Sequence, residues 1–446
     1  MRVWVLIAAS LMLFLTPGTL AAQGTDDSAD SSAAPAPPPS PAILFDSDVT
    51  VSQSVGHVYS YGFDMTPGWN LGVSVAPSVM YDTNPLLQYS PVSDKAMQVS
   101  GLADLTYLGR HDTYQAILTG RWSEYSRYNP LNSLDGELKQ TWYHEASRRT
   151  NTTSYLKLQR YPSWGGSAFS RSAFGSLVLA LTGLDALALK SKVDTAYAGQ
   201  DVSHQFNRHS WLSADVSGGV SKFIPASNIE LVQLLTAPAS STWNGRGHIQ
   251  YMYRVNGKHV VGVGGGSSYY SITNPENNVT VNDVVAYYRV DLKGWSMGVS
   301  AGPQWIRDNR QTSMRMQFGG NVQHTTRRTS IMVSATDQYQ VGMAQGNLGV
   351  WTVEASAERA LSSRSFVGSF FRYTKSNSPL GTGQITEGYT DSTIAAAEGG
   401  YKLGRNLIWF ANYGYCQQKG SLTSEETVYK HIFVTGISFT MNGLLR

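Results

Sequence analysis

Gly298-Val299-Ser300-Ala301-Gly302 has the Gly-x-Ser-x-Gly spacing that presents a serine nucleophile when it sits on a sharp strand-to-helix turn. Here it falls inside a run in which Trp295, Met297, Val299 and Ala301 alternate with Ser296, Gly298, Ser300 and Gly302. That alternation is a strand, not an elbow. Gly262-Val263-Gly264-Gly265-Gly266-Ser267 is dinucleotide-like but lacks the last glycine and a following helix. The nine histidines include no pair at metal-ligand spacing, and His204 and His209 flank a turn. The single cysteine, Cys416, can form no internal disulfide and matches no metal or redox pattern. No catalytic residue, metal ligand or cofactor is assigned, and the expectation is a protein that is not an enzyme.

The remaining chemistry is carried by charge. Arg121, Lys157, Arg246, Arg254, Arg289, Arg315, Arg372 and Lys402 each occupy the polar register of an alternating run. So do Asp104, Asp215, Asp283, Asp291, Glu354, Glu358 and Glu398. An Arg or Lys facing a bilayer midplane costs about 2–4 kcal/mol, which sends such side chains to the other face of the strand. Around a polar lumen they either pair or set a transverse field that filters solutes. Apart from Asp104, Asp291 and Lys402, these are the pore-lining candidates, and their mixed signs argue against a strongly anion-selective channel.

The elements that position these charges repeat one pattern. In Trp243–Val255, Ile249, Tyr251, Tyr253 and Val255 alternate with Arg246, His248, Gln250, Met252 and Arg254. Lys258–Ile272 follows after Asn256-Gly257, the dipeptide best suited to a two-residue type I′ turn. The apolar row ends in tyrosines, as at a lipid headgroup boundary. Similar pairs are expected at 95–109/111–127, 135–148/150–161, 191–206/209–223, 281–293/294–307, 311–324/327–340, 348–361/363–376 and 387–403/405–418. A first strand at 69–81 and a last at 427–441 bring the total to eighteen, with sixteen as the alternative if two runs are not strands. Short joints such as Gly109-Arg110, Arg148-Arg149, Asn207-Arg208, Ser362-Ser363 and Gly404-Arg405 alternate with longer segments, notably 161–191, 224–242 and 376–387. This asymmetry predicts an all-β, antiparallel, up-and-down transmembrane β-barrel in the outer membrane. Trp122, Trp142, Trp211, Trp305, Tyr373 and Tyr429 sit near strand ends, where an aromatic girdle is expected.

The bulk composition agrees. Charged residues make up 15% of the 446 residues, against roughly a quarter in soluble domains. A net charge of +3 is too small to imply a nucleic-acid partner. Residues 1–22 read as a signal peptide: Arg2, an apolar run from Val3 to Leu15, then Pro17-Gly18 and small residues at Thr19-Leu20-Ala21-Ala22. Residues 23–67 read as a disordered Ala/Ser/Pro-rich periplasmic segment and 68–446 as the barrel.

One connection stands apart. Pro162–Lys190, between the fifth and sixth strands, contains Leu177-Val178-Leu179-Ala180-Leu181 and Leu184–Leu189, so a partly helical long loop is expected. It resembles the inward-folded third loop of general porins, which would make Trp164, Phe169, Arg171, Phe174 and Asp185 a constriction. An extracellular cap, or a short extra hairpin turning at Thr182-Gly183, fits the same residues.

At Leu71–Pro85, an apolar alternating strand with Pro77-Ser78 leads into Tyr81-Asp82-Thr83-Asn84. This resembles the porin-like outer-membrane barrels found with exopolysaccharide and PEP-CTERM loci, and the resemblance implies a part in polysaccharide export. A terminal aromatic normally serves as the signal to the barrel-assembly machinery. Here Phe439 would take that place. The expected function is passive passage of hydrophilic solutes, or of a growing polysaccharide, through the outer membrane. The alternative is a closed structural or adhesive barrel whose loops bind a partner. The lipid bilayer is the expected partner in both, and no oligomeric state follows from the sequence.

Overall fold

The structure is a computed structural model. It describes residues 68–84, 92–128, 132–162, 192–224, 241–273, 276–308, 312–326, 328–342, 346–377, 389–420 and 427–445. The expected signal peptide (1–22) and spacer (23–67) lie outside these residues.

Every element among the described residues is a β-strand. In chain order they are β1 (Gly68–Asp82), β2 (Asp94–Leu108), β3 (Asp112–Tyr125), β4 (Ser133–Ser147), β5 (Thr150–Pro162), β6 (Lys192–Gln205), β7 (Ser210–Ile224), β8 (Ser241–Arg254) and β9 (His259–Thr273). The second half holds β10 (Glu276–Leu292), β11 (Trp295–Arg307), β12 (Thr312–Thr325), β13 (Thr329–Gly342), β14 (Gly346–Ala360), β15 (Ser365–Asn377), β16 (Tyr389–Lys402), β17 (Leu407–Gly420) and β18 (Thr427–Leu445). Each pairs antiparallel with its sequence neighbours, and β1 pairs with β18 from Trp69↔Leu445 to Asp82↔Ile432. The result is a closed barrel of eighteen strands without a free edge.

Residues directly opposite one another across a ladder share a face, so the register carries the two faces around the whole wall. One face holds Val299, Met314, Phe318, Trp351, Trp409 and Ile249, all exposed although apolar. A continuous apolar exterior of this kind is what a bilayer-facing wall requires. The other, inner face holds the charged and amide side chains, some buried and the rest half-buried. Inner-face glycines make room for large neighbours. Tyr155 lies over Gly199, Tyr197 over Gly219 and Phe366 over Gly400, each where a Cβ would overlap the ring.

Eight joints at one rim are short: 109–111, 148–149, 206–209, 255–258, 293–294, 326–328, 361–364 and 403–406. Side chains satisfy the backbone in several of them. Asn207 Oδ1 accepts from the His209 and Ser210 amides, at 2.8 and 2.9 Å. Asn256 Oδ1 accepts from those of Lys258 and His259, at 2.8 and 3.0 Å. The joint at Asn256-Gly257 is therefore a four-residue turn capped by asparagine, closed by Val255 N–H to His259 C=O at 2.9 Å, and not a two-residue type I′ turn. Such a turn needs positive φ at its central residues, and Gly257 is not among the positive-φ glycines. Lys293-Gly294 is a two-residue joint, with Gly294 at φ 76° and Leu292 opposite Trp295.

The other rim carries the connections at 163–191, 225–240 and 378–388. Three of its joints are nonetheless short, because β10 begins at Glu276, β12 at Thr312 and β14 at Gly346. The polar run Asn277–Thr280 joins the ladder to β9 as far as Tyr270↔Val279 and beyond, so hydrogen bonding extends β10 past its apolar band.

Candidate pore lining

The inner face is built strand by strand from polar positions flanked by outward apolar ones. Arg121 lies opposite Asp135, Lys157 opposite Lys139, Asp215 opposite His248, and Arg246 opposite Ser268. Asp283 faces Gln304, which faces Arg315; Arg289 faces Gly298; Arg254 faces Val260. Glu354 lies opposite Arg372, while Glu358 and Glu398 flank Gly368 on its two sides. The register thus brings all twelve candidate charges to one face. The constriction residues Trp164, Phe169, Arg171, Phe174 and Asp185 lie outside the described residues, as does the expected helical loop that carries them.

Most of these charges are held by partners. The Arg372 guanidinium and the Glu354 carboxylate form an ion pair at 2.5 Å. Arg121 Nη2 donates to Asp135 at 2.8 Å, and both are buried. Arg289 reaches along its own strand to Asp291 at 2.7 Å, and Ser296 donates to the same carboxylate at 2.9 Å. Arg315 pairs with Asp337, near the point where the β12–β13 ladder ends at Phe318↔Asp337. Gln317 donates to Asp283 at 3.3 Å. His248 stands between Asp215, 3.6 Å from its Nδ1, and the Tyr287 hydroxyl, 3.3 Å from its Nε2. Arg254 covers the Trp211 ring at 5.8 Å. Near the rim of long connections, Lys430 and Asp82 pair at 2.8 Å, with side-chain exposures of 0% and 1%.

Trp211 is a correction. It was expected in the outer girdle, yet it is buried on the inner face with Met252, Val260, Val285 and Tyr287. The signal was present: Trp211 shares parity with Asp215, a polar-face position. Lys430 and Asp82 were missed altogether. Lys430 shares its register with the apolar Ile432 and Val434, and Asp82 is the last residue of β1.

Aromatics that would offer a sugar-binding track are mostly not free to do so. Tyr125 and Phe410 pack into an inner cluster with Met80, Ile432 and Val434, and Phe370 packs against Ile394 and Cys416. Tyr155 stacks on Tyr197 at 5.9 Å, and Tyr197 donates to Ser217 at 2.6 Å. Ser300 lies well inside β11 and approaches the Gly319 carbonyl at 3.4 Å, so the hydrolase-like spacing is a stretch of extended strand.

No family model matches the chain, and no curated protein matches it. Among solved structures it is similar to a mutant of the ferric enterobactin receptor PfeA from Pseudomonas aeruginosa, at TM-score 0.44 and 6% identity, over 84% of this chain and 81% of that one. It is similar to OccK2 (OpdF) of the same organism at TM-score 0.43 and 11% identity, over 84% and 98% of the two chains. The ferric citrate transporter FecA aligns at TM-score 0.41 and 11% identity, over 80% of this chain and 61% of its own. At such identities the residue roles of those proteins do not transfer, and what is established for this chain is its own closed, eighteen-stranded antiparallel barrel.

Proposed function

We propose that this chain is a porin-like channel of the outer membrane that passes small hydrophilic solutes by diffusion. Its short joints face the periplasm and its long connections face outward. One observation carries the reading: a closed wall whose apolar row faces out and whose Arg, Lys, Asp and Glu side chains face in. Charges of both signs, placed on opposing strands, would orient polar solutes without excluding either ion type. The barrel-assembly machinery would recognise β18, where Phe439 is exposed on the outer face. Export of a polysaccharide is the narrower reading. It has less support, because Tyr125, Phe370 and Phe410 are packed into the wall.

A second reading, a closed structural or adhesive barrel, is favoured by the apolar inner cluster of Met80, Tyr125, Phe410, Ile432 and Val434 near the rim of long connections. Planar-bilayer recording separates the two. The channel reading expects discrete conductance steps from the purified full-length protein. A protein that inserts but gives neither steps nor solute-driven liposome swelling sinks it in favour of the closed barrel.

A further inference from the structure

The rim of short turns carries an uneven charge. Each of the eight turns contains at least one Lys or Arg, and none contains Asp or Glu. Arg148 and Arg149 occupy one turn, Arg208 the next, and Arg328, Arg364 and Arg405 three others, all exposed. Lys258 and Lys293 are placed alike. Among the described residues, none of these cations forms an ion pair in the structure. Nearby acids are already engaged: Asp112 with Trp142 and His144, and Glu145 with His111.

What lies just above the turns fixes their depth. On the outer face, Trp142 and His144 stand 5.8 Å apart, Trp295 and His324 4.2 Å, and His209 and Tyr253 6.3 Å. His259 Nδ1 is 2.8 Å from the Tyr288 hydroxyl. Amphipathic rings of this kind settle where hydrocarbon gives way to headgroups. Arg148, Arg208, Lys258, Lys293 and Arg328 lie one to four positions beyond the nearest of these rings, or roughly 3–14 Å along a strand, at the level of phosphodiesters.

We propose that this rim is a cationic collar that binds the anionic phospholipids of the leaflet it faces, with guanidinium and ammonium groups pairing to headgroup phosphates. The side on which the aromatic rings lie decides the occupant. They flank the turns on the bilayer side of the wall, so the cations stand against lipid rather than across the lumen mouth. The collar rests on the membrane reading proposed above.

The test uses the full-length protein reconstituted in phosphatidylcholine vesicles with spin-labelled phosphatidylglycerol or phosphatidylcholine. A motionally restricted fraction of either label reports that the barrel contacts lipid at all; its absence sinks the membrane reading itself. The collar predicts that phosphatidylglycerol associates roughly fivefold more strongly than phosphatidylcholine. It also predicts that molar salt abolishes the difference. Arg148→Gln/Arg149→Gln/Arg208→Gln and Arg328→Gln/Arg364→Gln/Arg405→Gln should each lower the ratio, and their combination should bring it close to one. A restricted fraction with no preference in the unmodified protein overturns the collar while leaving the barrel intact. So does an unchanged ratio in the combined variant, including one that instead loses block by dextran sulfate, which would assign the cations to a polyanion entering the lumen.

Discussion

Lys430 Nζ lies 2.8 Å from an Asp82 carboxylate oxygen, and the pair joins the last strand to the first. With neither side chain reaching solvent, this contact sits at the seam that closes the barrel. Asn84 Nδ2 donates to the Tyr429 carbonyl at 3.0 Å beside it, so the seam is held by side chains as well as by the ladder.

Removing one partner leaves the other charge buried without its ion pair. Lys430→Met or Asp82→Leu alone should destabilise the barrel by about 3–5 kcal/mol, whereas the double replacement recovers most of that loss. Urea unfolding from detergent micelles reads the difference. Equal losses in single and double variants would show that the seam depends on packing rather than on the pair.

Adjacent residues report which face meets lipid. Val299 is 58% exposed on the outer face, while Ser300 is half-buried on the inner one. Val299→Arg should cost about 2–4 kcal/mol of folding free energy in lipid vesicles, and Ser300→Arg much less. The opposite order would turn the barrel inside out and remove the membrane reading.

Two strand glycines should behave differently. A Cβ on Gly302 would run into the Val284 carbonyl, where the β10–β11 ladder skips from Asp283↔Gln304 to Ala286↔Ala301 beside Pro303. A Cβ on Gly245 meets nothing within 4 Å. Gly302→Ala should therefore cost roughly 1–3 kcal/mol by overpacking. Gly245→Ala should be neutral or gain about 0.5–1 kcal/mol from reduced backbone entropy. Thermal unfolding followed by heat-modifiable gel mobility tests the contrast.

Arg289 and Asp291 offer a test of the lumen with little structural risk, since both retain some exposure. Arg289→Gln should move the zero-current potential in a salt gradient toward cation selectivity, and Asp291→Asn toward anion selectivity. Stability should change by no more than about 1 kcal/mol in either. Selectivity that ignores both changes would place the ion path elsewhere.

Much of this architecture was legible in the residues alone. Period-two alternation is local, so rows such as Met314, Met316 and Phe318 against Ser313, Arg315 and Gln317 fix both the strand and its two faces. That is why eighteen strands could be placed to within a few residues, and why twelve charges fell on one face. Which charges meet was not legible, because contact across a barrel depends on the stagger of whole strands. Arg121 with Asp135, and Asp215 with His248 and Tyr287, are products of register rather than of spacing. Tertiary structure also turned Trp211 inward beneath Arg254, and drew Asp82 and Lys430 together from opposite ends of the chain. The physical reason is the same each time: side-chain direction is set by the backbone next door, whereas partnership is set when the sheet curls shut.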